Sequence, residues 1–225
     1  MPKPAYAMNL DKYSYSKAET HREYYFHSEG PRGRIKKMVR FQSSYIERTR
    51  CYNLVLGDWL EDNSIDHLVV TNNGDTEKLL ATVAAIVMDF TLLFEDAVIY
   101  TIGSTVTRTR RYQMSISKTL DEIEEIFNIY GYTKGQWEIF QKNINYDAFL
   151  VSRKEHLFLK EPNSIYMTEK NKQVKRYIQV QKDVPIYKEE LIDGENDPYT
   201  QKKMKMMKEM LEKSPIPEAL LRRQR

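Results

Sequence analysis

Between Thr71 and Phe94 the chain reads TNNGDTEKLLATVAAIVMDFTLLF, and no other stretch restricts the fold as strongly. Leu79, Leu80, Val83, Ile86, Val87, Phe90 and Phe94 recur at spacings of three and four, the period of an α-helix. Ala81, Ala84 and Ala85 fill most of the remaining circumference. A helix that is apolar nearly all round belongs inside a fold, packed against a sheet. Asp75 or Thr76 is suited to cap its first turn, and Glu77 sets negative charge at the positive end of its dipole. The segment LLATVAAIVMDF has the length of a buried helix and is too short to cross a bilayer.

Strand patterns surround this helix. EYYFHSEGPRGRIKKMVRFQ places two strand-like runs on either side of a turn marked by Gly30, Pro31 and Gly33. CYNLVLGDWL and the short HLVVT follow, and DAVIYTIG comes after the helix. A second helix begins beyond Gly103. SKTLDEIEEIFNIYGY either prolongs it or forms a short third one, with Leu120, Ile123, Ile126 and Phe127 on one face. YGYTKGQWEIF reads as strand, turn at Lys134–Gly135 and strand, and YDAFLVSRK as one more strand. The expected class is α+β: a largely antiparallel sheet packed against a buried central helix and a second helical segment. A three-layer sandwich is disfavoured, because a single β–α–β passage is evident.

The division expected is a polar, loosely held segment over 1–20, a main domain over 21–157 and an extension over 158–225. The extension carries a short strand pattern, RYIQVQ, and then a Met- and Lys-rich helix with Met204, Met207 and Leu211 on one side, ended by Pro215 and Pro217.

Composition narrows the functional classes. Thirty-five basic against 32 acidic residues leave a net +3, too small an excess for a dedicated nucleic-acid binder, although a local patch stays open. Cys51 stands alone, which rules out an internal disulfide and a thiolate metal cluster and fits a reducing cytoplasm. MPKPAYAMNLDKYSYSK has no apolar core of a secretory signal, so a cytoplasmic protein without membrane segments is expected. His21, His27, His67 and His156 are scattered and form no ligand pair, so no metal and no cofactor is expected. Asp58, Glu61, Asp62 and Asp66 lack the spacing of a calcium loop.

The richest segment for chemistry is YTIGSTVTRTRRYQMSIS. If Ser104 or Thr105 caps the helix after Gly103, then Ser104, Arg108, Arg111 and Ser115 share one stripe, with Thr105, Thr109, Tyr112 and Ile116 on a neighbouring stripe toward the core. The first-turn N–H groups, the hydroxyls of Ser104 and Thr105, and the guanidinium forks of Arg108 and Arg111 would suit a phosphate or carboxylate. The pattern is neither a P-loop nor a dinucleotide fingerprint. A solvated helix face, its arginines paired with the acids of TLDEIEEIF, explains the same residues. Arg32 and Arg34 at the hairpin tip offer a further phosphate contact or an ordinary charged turn. Asn73 and Asp75 suit a ligand-shaped loop or simple capping.

EGPRGRIKKMVRF, NLVLGDW, VVTNNGDTEKLLATVAAIVMDF, IGSTVTRTRRYQMSIS and NYDAFLVSRK together resemble a family of small uncharacterised proteins from Bacteroidota-type bacteria, over roughly residues 20–155. The resemblance implies a bacterial cytoplasmic setting and brings no catalytic residues. The reading favoured is a noncatalytic binding module for a phosphate-bearing ligand, nucleic acid or protein partner. Its binding residues would be Ser104, Thr105, Arg108, Arg111, Arg32, Arg34, Asn73 and Asp75. An enzyme acting on a phosphate-containing substrate is the alternative, and a structural or protein-interaction accessory is a third. A nucleotide or nucleic acid, a protein bound through the C-terminal helix and self-association all stay open as partners.

Overall fold

The computed structural model describes residues 11–46, 49–61, 64–66, 69, 71–154, 186–187 and 198–221. The elements in chain order are β1 (Tyr15–Ala18), β2 (Glu23–Gly30), β3 (Gly33–Ile46), β4 (Thr49–Trp59), β5 (Ile65–Asp66), α1 (Thr76–Leu93), β6 (Val98–Thr101) and α2 (Val106–Ile123). Then come β7 (Phe127–Thr133), β8 (Gln136–Ile139), β9 (Ala148–Arg153), β10 (Ile186–Tyr187), α3 (Pro198–Lys213) and α4 (Glu218–Leu221). All ten strands among the described residues join one sheet in the order β10-β1-β2-β3-β4-β6-β9-β7-β8, with β5 on the end of β4. Neighbours are antiparallel except β1 with β10 and β4 with β6. The fold is α+β, as the patterns required.

Two connections set the architecture. The chain leaves β4, forms α1 and returns as its parallel neighbour β6. It then forms α2 and returns as β7, which runs parallel to β6 with β9 inserted between them. Both helices lie on one face. There Phe90 of α1 stacks on Phe41 of β3 with centroids 3.8 Å apart and meets Tyr52 of β4 edge-on at 5.0 Å. Complete burial of such a ring contributes about 2–3 kcal/mol. Met88 of α1 and Ile116, Leu120 and Ile123 of α2 pack with Phe127, Ile129 and Phe149 farther along the sheet.

α3 covers the opposite face. Met207 and Leu211 sit among Val98, Tyr100, Leu150 and Trp137, whose side chains point away from α1 and α2. Thr200 and Lys203 bind Gln42 Nε2 and the Leu54 carbonyl on the same side. Met204, Met207 and Leu211 therefore share one helix face, as their spacing predicts, and dock on this chain's own sheet. A third layer results, which corrects the expectation against one: the chain makes a second β–α–β passage, β6–α2–β7, and α3 covers the far face.

Local details also differ from expectation. Residues 11–18 are held: Tyr13 stacks on Phe26, β1 pairs with β2, and Lys17 Nζ reaches Asp89 of α1 at 3.8 Å. Burial pushes the Asp89 carboxyl above its ordinary pKa, with Lys17 opposing. Asp89, Thr82 and Thr91 are buried while Leu79, Leu80, Val83 and Val87 are half-buried, so α1 turns a partly polar stripe inward. α2 is a single helix that stops at Ile123, so Ile126 precedes β7 and Phe127 opens it. In place of a strand over HLVVT, β4 is met by Ile65–Asp66. Val69 and Thr71 carry no strand, and the rest of that stretch lies outside the described residues. RYIQVQ also lies outside them. The β7–β8 turn falls at Lys134–Gly135, both at positive φ, as a two-residue hairpin loop requires. Among the described residues no helix is long and apolar enough to cross a membrane.

Candidate functional site

Because β4 and β6 are parallel, their carboxyl ends lie together, and each delivers the chain to the amino end of a helix on the same face. A polar hollow of about 110 Å³ opens there, lined from β2, β3, β4, the 69–75 loop and both helix starts. A wider hollow of about 740 Å³ adjoins it between the first turns of α1 and the middle of α2, sharing Asp75, Thr76, Leu80 and Arg111 with it.

The floor of the first hollow is an ion pair. Lys37 Nζ donates to Asp58 Oδ1 and, at 2.6 Å, to Thr71 Oγ1, and that hydroxyl lies 3.2 Å from both Asp58 oxygens. Lys37 and Asp58 face each other across β3 and β4, in a register set by the hairpin that closes at Ile46 and Thr49. Sequence patterning put Lys37 inside a strand-like run and Asp58 with a loose acidic group. The one signal that could have joined them was that hairpin register.

One wall is a hydrogen-bonded corner. Asn73, 3% exposed, accepts from Arg32 N at 2.9 Å and turns its amide toward Ser28 Oγ at 2.9 Å and the Gly33 carbonyl at 3.1 Å. Gly33 takes φ 89°, which leaves only Pro31 and Arg32 between the paired ends of β2 and β3. Asp75 occupies the cap position of α1, yet its side chain makes no cap bond. Its Oδ2 accepts from Tyr13 Oη at 2.8 Å and Ser28 Oγ at 2.6 Å. Burial, together with the hydrogen bond to Asp75, raises the Tyr13 phenol, and the Glu29 backbone opposes this.

The opposite wall is α2. Thr105 is its cap and accepts from Arg108 N at 3.2 Å, as the spacing predicts. Gly103 has no room for a side chain, since a Cβ would collide with the Thr109 backbone nitrogen. Arg108 folds back on its own start: Nη1 donates to Ser104 Oγ at 2.6 Å and Nη2 to the Val69 carbonyl. Arg111, one turn on, is exposed, lines both hollows and makes no hydrogen bond or ion pair with the described residues.

The eight candidate residues thus separate. Asn73, Asp75, Arg108 and Arg111 meet at the hollow. Ser104 and Thr105 stand behind it, holding Arg108 and the helix start. Arg32 is tied through its backbone. Arg34 turns to the Glu29 carboxylate at 3.6 Å and His27 Nδ1 at 3.4 Å on the outer hairpin. Thr109 is buried and Tyr112 and Ile116 half-buried, the inward stripe expected of α2. Arg110 points elsewhere, to Asn145 Oδ1. Among the described residues no group of three His, Cys, Asp or Glu side chains converges as metal ligands. Burial pushes the Cys51 thiol up to about 12, so it stays protonated and unreactive at neutral pH.

Fold and hollow define an α+β protein with two crossover helices on one face, both beginning beside a single polar hollow. The chain belongs to DUF6934, a family of unknown function whose profile matches residues 9–154. The described residues that line the hollow fall within that span, and α3 lies beyond it. No curated protein and no solved structure matches the chain.

Proposed function

We propose that the protein is a noncatalytic binding module whose ligand carries a phosphate, received at the carboxyl ends of β4 and β6. The observation that carries this reading is Arg111, an exposed guanidinium that lines both hollows and has no hydrogen bond or ion pair among the described residues. Arg108 stands one turn before it, its fork already oriented by Ser104 and Val69. A preset fork loses less freedom when it meets a planar or tetrahedral anion. Both carboxylates that the described residues bring to the hollow are occupied, Asp58 by Lys37 and Thr71, and Asp75 by Tyr13 and Ser28. That engagement favours binding over proton transfer. A bacterial cytoplasm is the setting inferred, where the lone buried thiol of Cys51 would stay reduced.

Titration of the full chain with inorganic phosphate, by calorimetry at low salt, tests the reading. Arg111→Ala should weaken binding about tenfold, the worth of one charge-assisted contact. Equal affinity of the variant and the parent, or no binding at millimolar phosphate, refutes it.

A further inference from the structure

Between α1 and α2 the helical layer leaves a furrow where protein interiors are ordinarily filled. Leu80, Val83 and Val87 of α1 face Tyr112 and Ile116 of α2 across a cavity of about 130 Å³, and all five stay half-buried. Its floor is the sheet at Leu56, Ile99 and Val151. Among the described residues, only Thr101, Tyr112 and Ser115 bring polar side-chain atoms to it. A cavity of about 150 Å³ with an aliphatic and aromatic lining is large enough to take up benzene.

The furrow is no separate compartment. Leu56, Leu80 and Tyr112 line it and the polar hollow alike, and Ser115 links it to the wider one. At one end stand Lys37, Arg108 and Arg111, and at the other an apolar slot about one ring in size.

We infer that the ligand is an amphiphilic phosphate monoester, its phosphate at Arg111 and a single aromatic ring or short alkyl chain in the furrow between α1 and α2. The inference rests on the phosphate-binding reading and narrows it. A nucleotide fits poorly, because its base and sugar would bring many donors and acceptors into a slot that answers few of them. The slot is also too small for a peptide segment.

Phenyl phosphate and inorganic phosphate, each titrated into the full chain, test it. Phenyl phosphate should bind at least about tenfold more tightly, since burying a ring removes roughly 100 Å² of apolar surface from water. It should also shift the methyl resonances of Val83, Val87 and Ile116, which inorganic phosphate leaves in place. Ala84→Phe, which fills the slot, should bring the two affinities together. If that variant does not fold, the methyl shifts in the parent protein decide. Equal affinity for the two probes overturns this inference and leaves the phosphate site standing. Tighter binding of phenyl phosphate without those shifts puts its ring elsewhere and overturns it too. Failure of both probes to bind overturns the site and the inference together.

Discussion

The two faces of the sheet are covered by helices in opposite ways. On one, α3 sets Met207 and Leu211, at 0% and 4% exposure, into strand side chains that are themselves almost wholly enclosed. On the other, α1 seals its half of the sheet with Phe90 and Ile86, yet it closes only partly against α2 and leaves Leu80, Val83 and Val87 half-exposed. One helix centred over the sheet can close a face, whereas two helices rising from separate strands close it only if their flanks meet. Here the flanks meet only in part, Lys118 of α2 reaching Glu77 of α1 at 2.9 Å, and the room left between them opens onto the polar hollow.

The contrast can be broken at its strongest point first. Met207→Ala should cost about 3 kcal/mol in chemical denaturation, because the site has no slack into which it can collapse. A loss below about 1 kcal/mol would mean that the α3 face is as loosely packed as the other. Asn73→Ala should cost about 2 kcal/mol, since it strips partners from Arg32 N, Ser28 and the Gly33 carbonyl in a buried corner. Unchanged stability would show that this corner of the polar hollow is held by something else.

Lys203 sharpens the comparison through pH. Burial, aided by the charge of Arg108, brings its ammonium down to about 7 from 10.5. Below about pH 7 both folded and unfolded chains carry the proton, and the fold bears the full cost of the buried charge. Between that point and the unfolded value the unfolded chain binds more protons, so stability rises with pH by at most about 1.4 kcal/mol per unit. Lys203→Met should flatten the rise between pH 7 and 9, read by thermal unfolding in matched buffers. A parent protein with no such rise would show that water or a further partner compensates the charge. The smallest effect belongs to the furrow. Val83→Ala should cost less than about 1 kcal/mol, because the methyl groups it removes are already half in water. A cost equal to that of Met207→Ala would mean that the furrow closes in solution.

Much of the fold was legible in local pattern. The spacing from Leu79 to Phe94, the turn at Lys134–Gly135 and the start of α2 at Thr105 each follow from short-range geometry: a period of 3.6, a loop needing positive φ, and a hydroxyl able to accept a first-turn N–H. The candidate site was half legible for the same reason. Thr105 and the stripe holding Arg108 and Arg111 depend on neighbours three and four positions away. Whether a guanidinium on that stripe turns to Ser104, as Arg108 does, or stays open, as Arg111 does, depends on a carbonyl from Val69, some forty residues earlier.

The sequence by itself determined the class, an enclosed helix against a mainly antiparallel sheet, because helix and strand periods are written in runs of ten to twenty residues. Tertiary structure alone decided that Lys37 meets Asp58, that Asn73 knots the hairpin to the loop before α1, and that α3 takes the far face. It also decided that Asp89 is buried while Val83 is only half-buried. Each of these is a long-range choice, made when strand register and helix placement bring distant side chains into one volume, and no local period encodes it.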